Sequence, residues 1–81
     1  MAESNFDTVL TKTEPEKNTY RYYAVSIQLN LFGGYSVIRN WGRIGSNGRS
    51  VIDLFDDVVV AAQARDSLVK SKLARGYIAD L

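Results

Sequence analysis

Residues 19–31 alternate with a period of two, and that run constrains the fold more than any other feature of the chain. Tyr23, Val25, Ile27, Leu29 and Leu31 occupy one set of positions, and Tyr22, Ala24, Ser26, Gln28 and Asn30 fill the other. A helix scatters such a pattern around its axis, whereas a strand sends alternate side chains to opposite faces. The first set is the more apolar and is assigned to the core face. The second is semi-polar and is expected to face solvent or a partner. Tyr20 and Tyr22 then stand on the outer face beside Arg21, with their hydroxyls at a wet rim.

Shorter strand signals surround this run. Residues 1–5 are polar and expected to fray. Residues 6–12 read as a first strand, and 13–18 as a loop around Pro15, which cannot donate to a sheet ladder. Gly33-Gly34 closes a hairpin into a strand over 35–41. That strand has two mixed faces, Tyr35-Val37-Arg39-Trp41 and Ser36-Ile38-Asn40, and its period does not say which one is buried. If the first faces outward it forms an aromatic and basic ribbon. Residues 42–48 contain Asn47-Gly48, a turn dipeptide, and 50–55 read as a further strand. After Phe55 the period changes. Asp56 and Asp57 are candidate N-caps, and positions 58, 61, 62, 64, 68, 69 and 73 form one apolar arc of a helix that ends at Gly76. Tyr77 and Ile78 are expected to fold back on the helix end or the sheet. The expectation is a single α+β domain over 1–81: an antiparallel sheet of about four strands with one long C-terminal amphipathic helix across one face.

Eighty-one residues leave room for one core and little more. Cysteine and histidine are both absent. That removes disulfides, thiolate metal sites, the usual zinc ligand and the side chain that titrates near neutrality. No metal site, cofactor or catalytic residue is assigned. Asp56-Asp57 is a carboxylate pair, but helix capping explains it without an active site. No nucleophile with an activating base is apparent, so a non-enzymatic role is expected. Apolar runs are too short for a membrane helix and the N-terminus lacks a signal-peptide layout, so a cytoplasmic protein with no membrane association is expected.

The net charge of +1 conceals an uneven distribution. Between residues 19 and 52 lie Arg21, Arg39, Arg43 and Arg49 and no acidic residue, a local charge of +4. The only tryptophan, Trp41, falls within this block. Core placement of Trp41 and exposure at a hairpin junction are both compatible with the pattern. In the exposed case, guanidiniums take phosphate oxygens while an indole packs on a base or sugar. The glycines at 42, 45 and 48 superficially suggest a phosphate cradle, but they lack the Lys-Ser/Thr of a nucleotide loop, and a tight hairpin link explains them equally.

Trp41-Gly42-Arg43-Ile44-Gly45 resembles the signature of the WGR domain. The flanks are similar too: Glu16-Lys17-Asn18 and Tyr20 before the long strand, Gly48-Arg49 after the signature, Phe55 before an alanine-containing helix, and a Lys72-Leu73-Ala74-Arg75-Gly76-Tyr77 close like that of short bacterial stand-alone members. The resemblance implies an antiparallel sheet with a helix packed across it. It also implies a nucleic-acid role. In DNA-dependent poly(ADP-ribose) polymerases this kind of domain binds DNA breaks, its tryptophan packs on a terminal nucleotide and its arginine supports contacts to neighbouring domains. The matching positions are Trp41 and Arg43. The departure is that these residues include no catalytic domain and no zinc fingers, so Arg43 is free either to meet phosphate or to brace the Trp41 loop.

Two functional expectations follow. The first is a small module that binds nucleic acid, chiefly DNA ends, nicks or structured strands, with little sequence specificity. Trp41, Arg43, Arg39, Arg49, Arg21, Gly42 and Gly45 are its candidate contact residues. The alternative is a protein-interaction or homodimerisation module that uses the uncovered sheet face and aromatic rim without touching nucleic acid.

Overall fold

The structure is a computed structural model that describes residues 6–79, so the polar lead at 1–5 lies outside the described residues. Strand β1 (Thr8–Glu14) leads through a single 3-10 turn (Pro15–Lys17) into β2 (Thr19–Leu29). Then come β3 (Tyr35–Arg43), β4 (Arg49–Phe55), the helix α1 (Val58–Ala74) and a two-residue β5 (Ile78–Ala79). The sheet order is β4-β3-β2-β1-β5, antiparallel throughout. The α+β arrangement is the expected one, with a short fifth strand added where Ile78 and Ala79 pair with Thr11 and Leu10.

Register decides what the sequence leaves open for β3. Trp41 pairs with Tyr23, Arg39 with Val25 and Val37 with Ile27. The face carrying Tyr35, Val37, Arg39 and Trp41 is therefore the helix-covered one, not an outward ribbon. Leu10, Tyr23, Val25, Val37, Ala61 and Tyr77 form the core, with Ile27, Tyr35, Trp41, Phe55, Leu68 and Val69 partly buried around it. Each large aliphatic side chain removed from water here contributes about 1.5–3 kcal/mol. Arg39 is tolerated on this face because its guanidinium meets the Asp53 carboxylate at 3.4 Å and keeps some contact with water.

Two assignments of burial are corrected. Leu29 and Leu31, read as core, are 70% and 98% exposed, and Phe32 is 91% exposed. The alternation continues to the end of β2, but cover from α1 stops near Ile27. On the other face Ala24, Ser26 and Ser36 are buried rather than solvated. Their side chains are too small to rise above their neighbours; Ser26, for example, stands beside Ile38 in register. Several boundaries also move. β1 continues to Glu14, β2 stops at Leu29, and β3 carries Gly42 and Arg43 within the strand rather than in the turn.

Helix α1 starts at Asp57, whose Oδ1 accepts the Val59 N–H at 2.7 Å. It lies across β2, β3 and β4. Ala61 is its buried residue, and Val58 and Leu73, at the ends of the expected apolar arc, remain nearly half exposed. The helix ends in a paired reversal: Tyr77 N–H donates to the Lys72 carbonyl and Gly76 N–H to that of Leu73. This geometry needs the left-handed φ of +96° that Gly76 supplies. The reversal buries Tyr77 and delivers β5 to the sheet.

Candidate nucleic-acid interface

The start of β2, the end of β3 and the last turn of α1 meet at one end of the molecule. Between them is an open cleft of about 550 Å³. Its walls are Lys17 to Tyr22, Trp41 to Arg43, Lys72 and Tyr77. Its lining includes four cationic residues (Lys17, Arg21, Arg43, Lys72) and four aromatic ones (Tyr20, Tyr22, Trp41, Tyr77), and none is acidic. Arg21, Trp41 and Arg43 share the helix-side face of the sheet, whereas Tyr20 and Tyr22 alternate to its other face.

The charge density follows from register. Arg21 and Arg43 are direct cross-strand partners. Like charges in that position repel, and ordinary sheets avoid them. Arg43 is braced in response. Its guanidinium donates to the Asn18 carbonyl and to Asn18 Oδ1, both at 3.3 Å, and lies 5.2 Å from the Tyr20 ring centroid. Asn18 can offer both oxygens because it ends the 3-10 turn in a left-handed conformation, φ 54°.

Lys72 closes the cleft from the helix side. Its ammonium is 4.8 Å from the Tyr23 ring centroid and 5.6 Å from that of Tyr77. Partial burial pushes its pKa down, and Arg75, Arg21 and Arg39 add to the shift. Nearby, Lys12 donates to the Arg75 carbonyl at 2.7 Å, tying the helix end to β1. Burial raises the Tyr23 hydroxyl pKa, the adjacent Arg39 guanidinium opposes that rise, and Asp53 reinforces it. Among the described residues, the Tyr23 hydroxyl and Arg39 Nε are each buried without a hydrogen-bond partner.

Trp41 combines both expected placements. It is partly buried, its ring centroid 6.3 Å from that of Tyr23 and 5.7 Å from the Arg39 guanidinium carbon, and it also forms cleft wall. The turn behind it is drawn tight. Tyr22 donates to the Ser46 carbonyl, Ile44 N–H to Tyr20 and Ser46 N–H to Arg43. A Cβ on Gly48 would collide with the Trp41 carbonyl oxygen and the Tyr22 hydroxyl. Gly42 and Gly48 therefore serve close backbone approach, whereas Gly45 supplies a left-handed φ of +95° in open space, and the Ile44 and Ser46 amides already donate to the Tyr20 and Arg43 carbonyls.

Of the residues expected from sequence, Trp41, Gly42, Arg43 and Arg21 come together in the cleft. Arg39 stands behind Trp41 on the helix-covered face, paired with Asp53. Arg49 is exposed at the start of β4, opposite Trp41 in register, and does not line the cleft; nor does Gly45. Lys17, Lys72 and Tyr77 were not expected as cleft residues. Their signal is present nonetheless: Lys72 intrudes on the apolar arc four residues before the glycine that turns Tyr77 inward.

Among the described residues no helix is long and apolar enough to cross a membrane. The model of the WGR domain matches residues 6–80. The chain is 35% identical over 77 residues to the uncharacterized protein y4dW of Sinorhizobium fredii (strain NBRC 101917 / NGR234), covering 95% of this chain and 38% of that one. It is 30% identical over 63 residues to protein YehF of Escherichia coli (strain K12), covering 78% of this chain and 21% of that one. The chain thus spans well under half the length of these curated relatives. With its signature at the end of β3 and its sheet crossed by a single helix, this chain belongs to the WGR domain family.

Proposed function

We propose that the cleft binds the sugar-phosphate backbone of nucleic acid, most of all DNA at ends, nicks or structured strands, with slight sequence preference. One observation carries this reading: Arg21 and Arg43 face each other across adjacent strands, with Lys72 above and no acid on the cleft wall. A polyanion relieves that repulsion, and acquires three cationic contacts in doing so. Lys17 extends the basic track toward the 3-10 turn. Trp41 supplies a flat surface on which a base or sugar packs for about 1–3 kcal/mol. The family lends support, since WGR domains are binding modules known for nucleic-acid contact in poly(ADP-ribose) polymerase-like proteins. Arg43 takes a double part, fixed by Asn18 and Tyr20 yet open to the cleft. Base reading is not expected, because the wall is formed by strand ends and one helix terminus rather than a helix face that enters a groove.

Titration onto blunt, nicked and single-stranded oligonucleotides across a salt series tests the reading. Three neutralised phosphates on duplex give a log-log slope of about −2.7. Binding at low salt that falls with this slope and weakens in Trp41→Ala and Lys72→Gln is the expected result. No binding at low salt, or binding indifferent to both substitutions, overturns it.

A further inference from the structure

Strand β4 borders the sheet. β3 pairs one of its sides, and among the described residues no strand pairs the other. The opposite edge of the sheet is closed by the two-residue β5, so β4 is the long free edge. Such an edge offers a row of backbone donors and acceptors to another chain. Charges on an edge ordinarily block that pairing, and β4 carries two, Arg49 and Asp53. Their placement matters more than their number. Both lie on the helix-side face, two positions either side of Val51. Arg49 is exposed, and the Asp53 side chain keeps 45% of its surface in water despite its contact with Arg39. On the other face of the same strand, Ile52 and Leu54 are 59% and 67% exposed.

We propose that β4 pairs antiparallel with β4 of a second copy of this chain, about a two-fold axis through Val51, making one continuous sheet across the dimer. In that register Arg49 of each copy stands opposite Asp53 of the other, so two unlike pairs form at once. Each Asp53 carboxylate then lies between its own Arg39 and the second copy's Arg49. Parallel pairing in register sets Arg49 against Arg49 and Asp53 against Asp53, and is disfavoured. A register centred on Ile52 sets Asp53 against Val51 and Arg49 against Phe55, with no charge opposed to its opposite. The charge order of β4 therefore selects one partner orientation and one register. In it the Ile52 side chains become diagonal neighbours and lose contact with water. The two helices fall on the same side of the joined sheet, because the axis runs perpendicular to it. This inference stands apart from the reading of the cleft and is tested without nucleic acid.

Sedimentation over a wide range of protein concentration reads the assembly directly. The wild-type chain is expected to dimerise as concentration rises, less readily at high salt. Arg49→Asp and Asp53→Arg each place like charges opposite one another and are expected to weaken self-association by roughly tenfold. Mixing the two variants restores both unlike pairs, so the mixture is expected to form a heterodimer that neither makes alone. Circular dichroism checks that each variant folds. Should Asp53→Arg unfold the chain by stranding Arg39, Ile52→Lys on the exposed face replaces it and is expected to abolish the dimer. A wild-type chain monomeric at every concentration, a dimer indifferent to Arg49→Asp and Ile52→Lys, or a mixture of folded charge variants that fails to associate each overturns the proposal.

Discussion

Arg21 and Arg43 stand directly opposite one another in register on β2 and β3, and no acidic residue lines the cleft that they share. Replacing one by an acid should trade function for stability. Arg21→Glu converts the like pair to an unlike one, and the free domain should gain about 0.5–1 kcal/mol in urea unfolding. The same variant should bind duplex ends at least about tenfold more weakly, the loss expected for one charge-assisted phosphate contact. A variant both less stable and equally able to bind contradicts this account of the pair.

Lys72 should report the cleft's electrostatics through its own titration. Its folded pKa is below the ordinary 10.5 because of burial and then Arg75, Arg21 and Arg39. The folded chain therefore releases this proton before the unfolded chain does. The destabilisation from holding the charge is fully present at neutral pH and fades as pH rises through the folded pKa toward 10.5. Tyr23 acts in the opposite direction: its raised pKa means that stability is lost as pH climbs above 10.0. Comparison with Lys72→Met isolates the lysine, so the stability advantage of that variant should shrink as pH rises toward 10.5. Nitrogen-15 NMR of the Lys72 ammonium should show the lowered pKa in the free protein and an upward return when a short oligonucleotide is added.

Gly48→Ala should be among the most damaging single changes outside the core. The position has φ +66°, and a Cβ there meets the Trp41 carbonyl and the Tyr22 hydroxyl. Strain of this kind costs about 1–3 kcal/mol before any displacement of Trp41. Thermal unfolding should show the loss, and Trp41 fluorescence should shift as the ring leaves its place beside Tyr23. Gly45→Ala, with φ +95° but open space around it, should be milder.

The corrected core makes a paired prediction. Leu10 is 1% exposed, and Leu10→Ala should remove about 2–5 kcal/mol. Leu31 has the same chemistry and is 98% exposed, and Leu31→Ser should stay within about 0.5 kcal/mol of wild type. Denaturant midpoints for the two variants suffice to check it.

The legible part of this chain was its periodicity. Alternation through Tyr23, Val25 and Ile27, the change of period after Phe55, and the Asp57 and Gly76 signals together describe most of the architecture. What periodicity does not carry is where cover ends. Leu29 continues the pattern of Ile27 without a helix above it, because alternation is a property of the strand and shielding a property of its neighbour. The two faces of β3 were undecidable for a related reason. Arg39 on the buried side is explained only by Asp53, a residue on another strand, and register is not written locally. The cleft was half legible. Arg21, Trp41 and Arg43 lie in one acid-free block, whereas Lys72 and Tyr77 arrive from the far end of the chain through the reversal at Gly76.

That reversal has a further consequence. By pairing Ile78 and Ala79 with Thr11 and Leu10, it brings the last described strand alongside the first, running the opposite way. The polypeptide thus enters and leaves at one corner, and a host protein can carry such a domain on a single loop as easily as at either terminus. A graft of this kind leaves the basic cleft and the free β4 edge outside the seam. Relatives in which the matching segment makes up 38% and 21% of the length are the places to look for it.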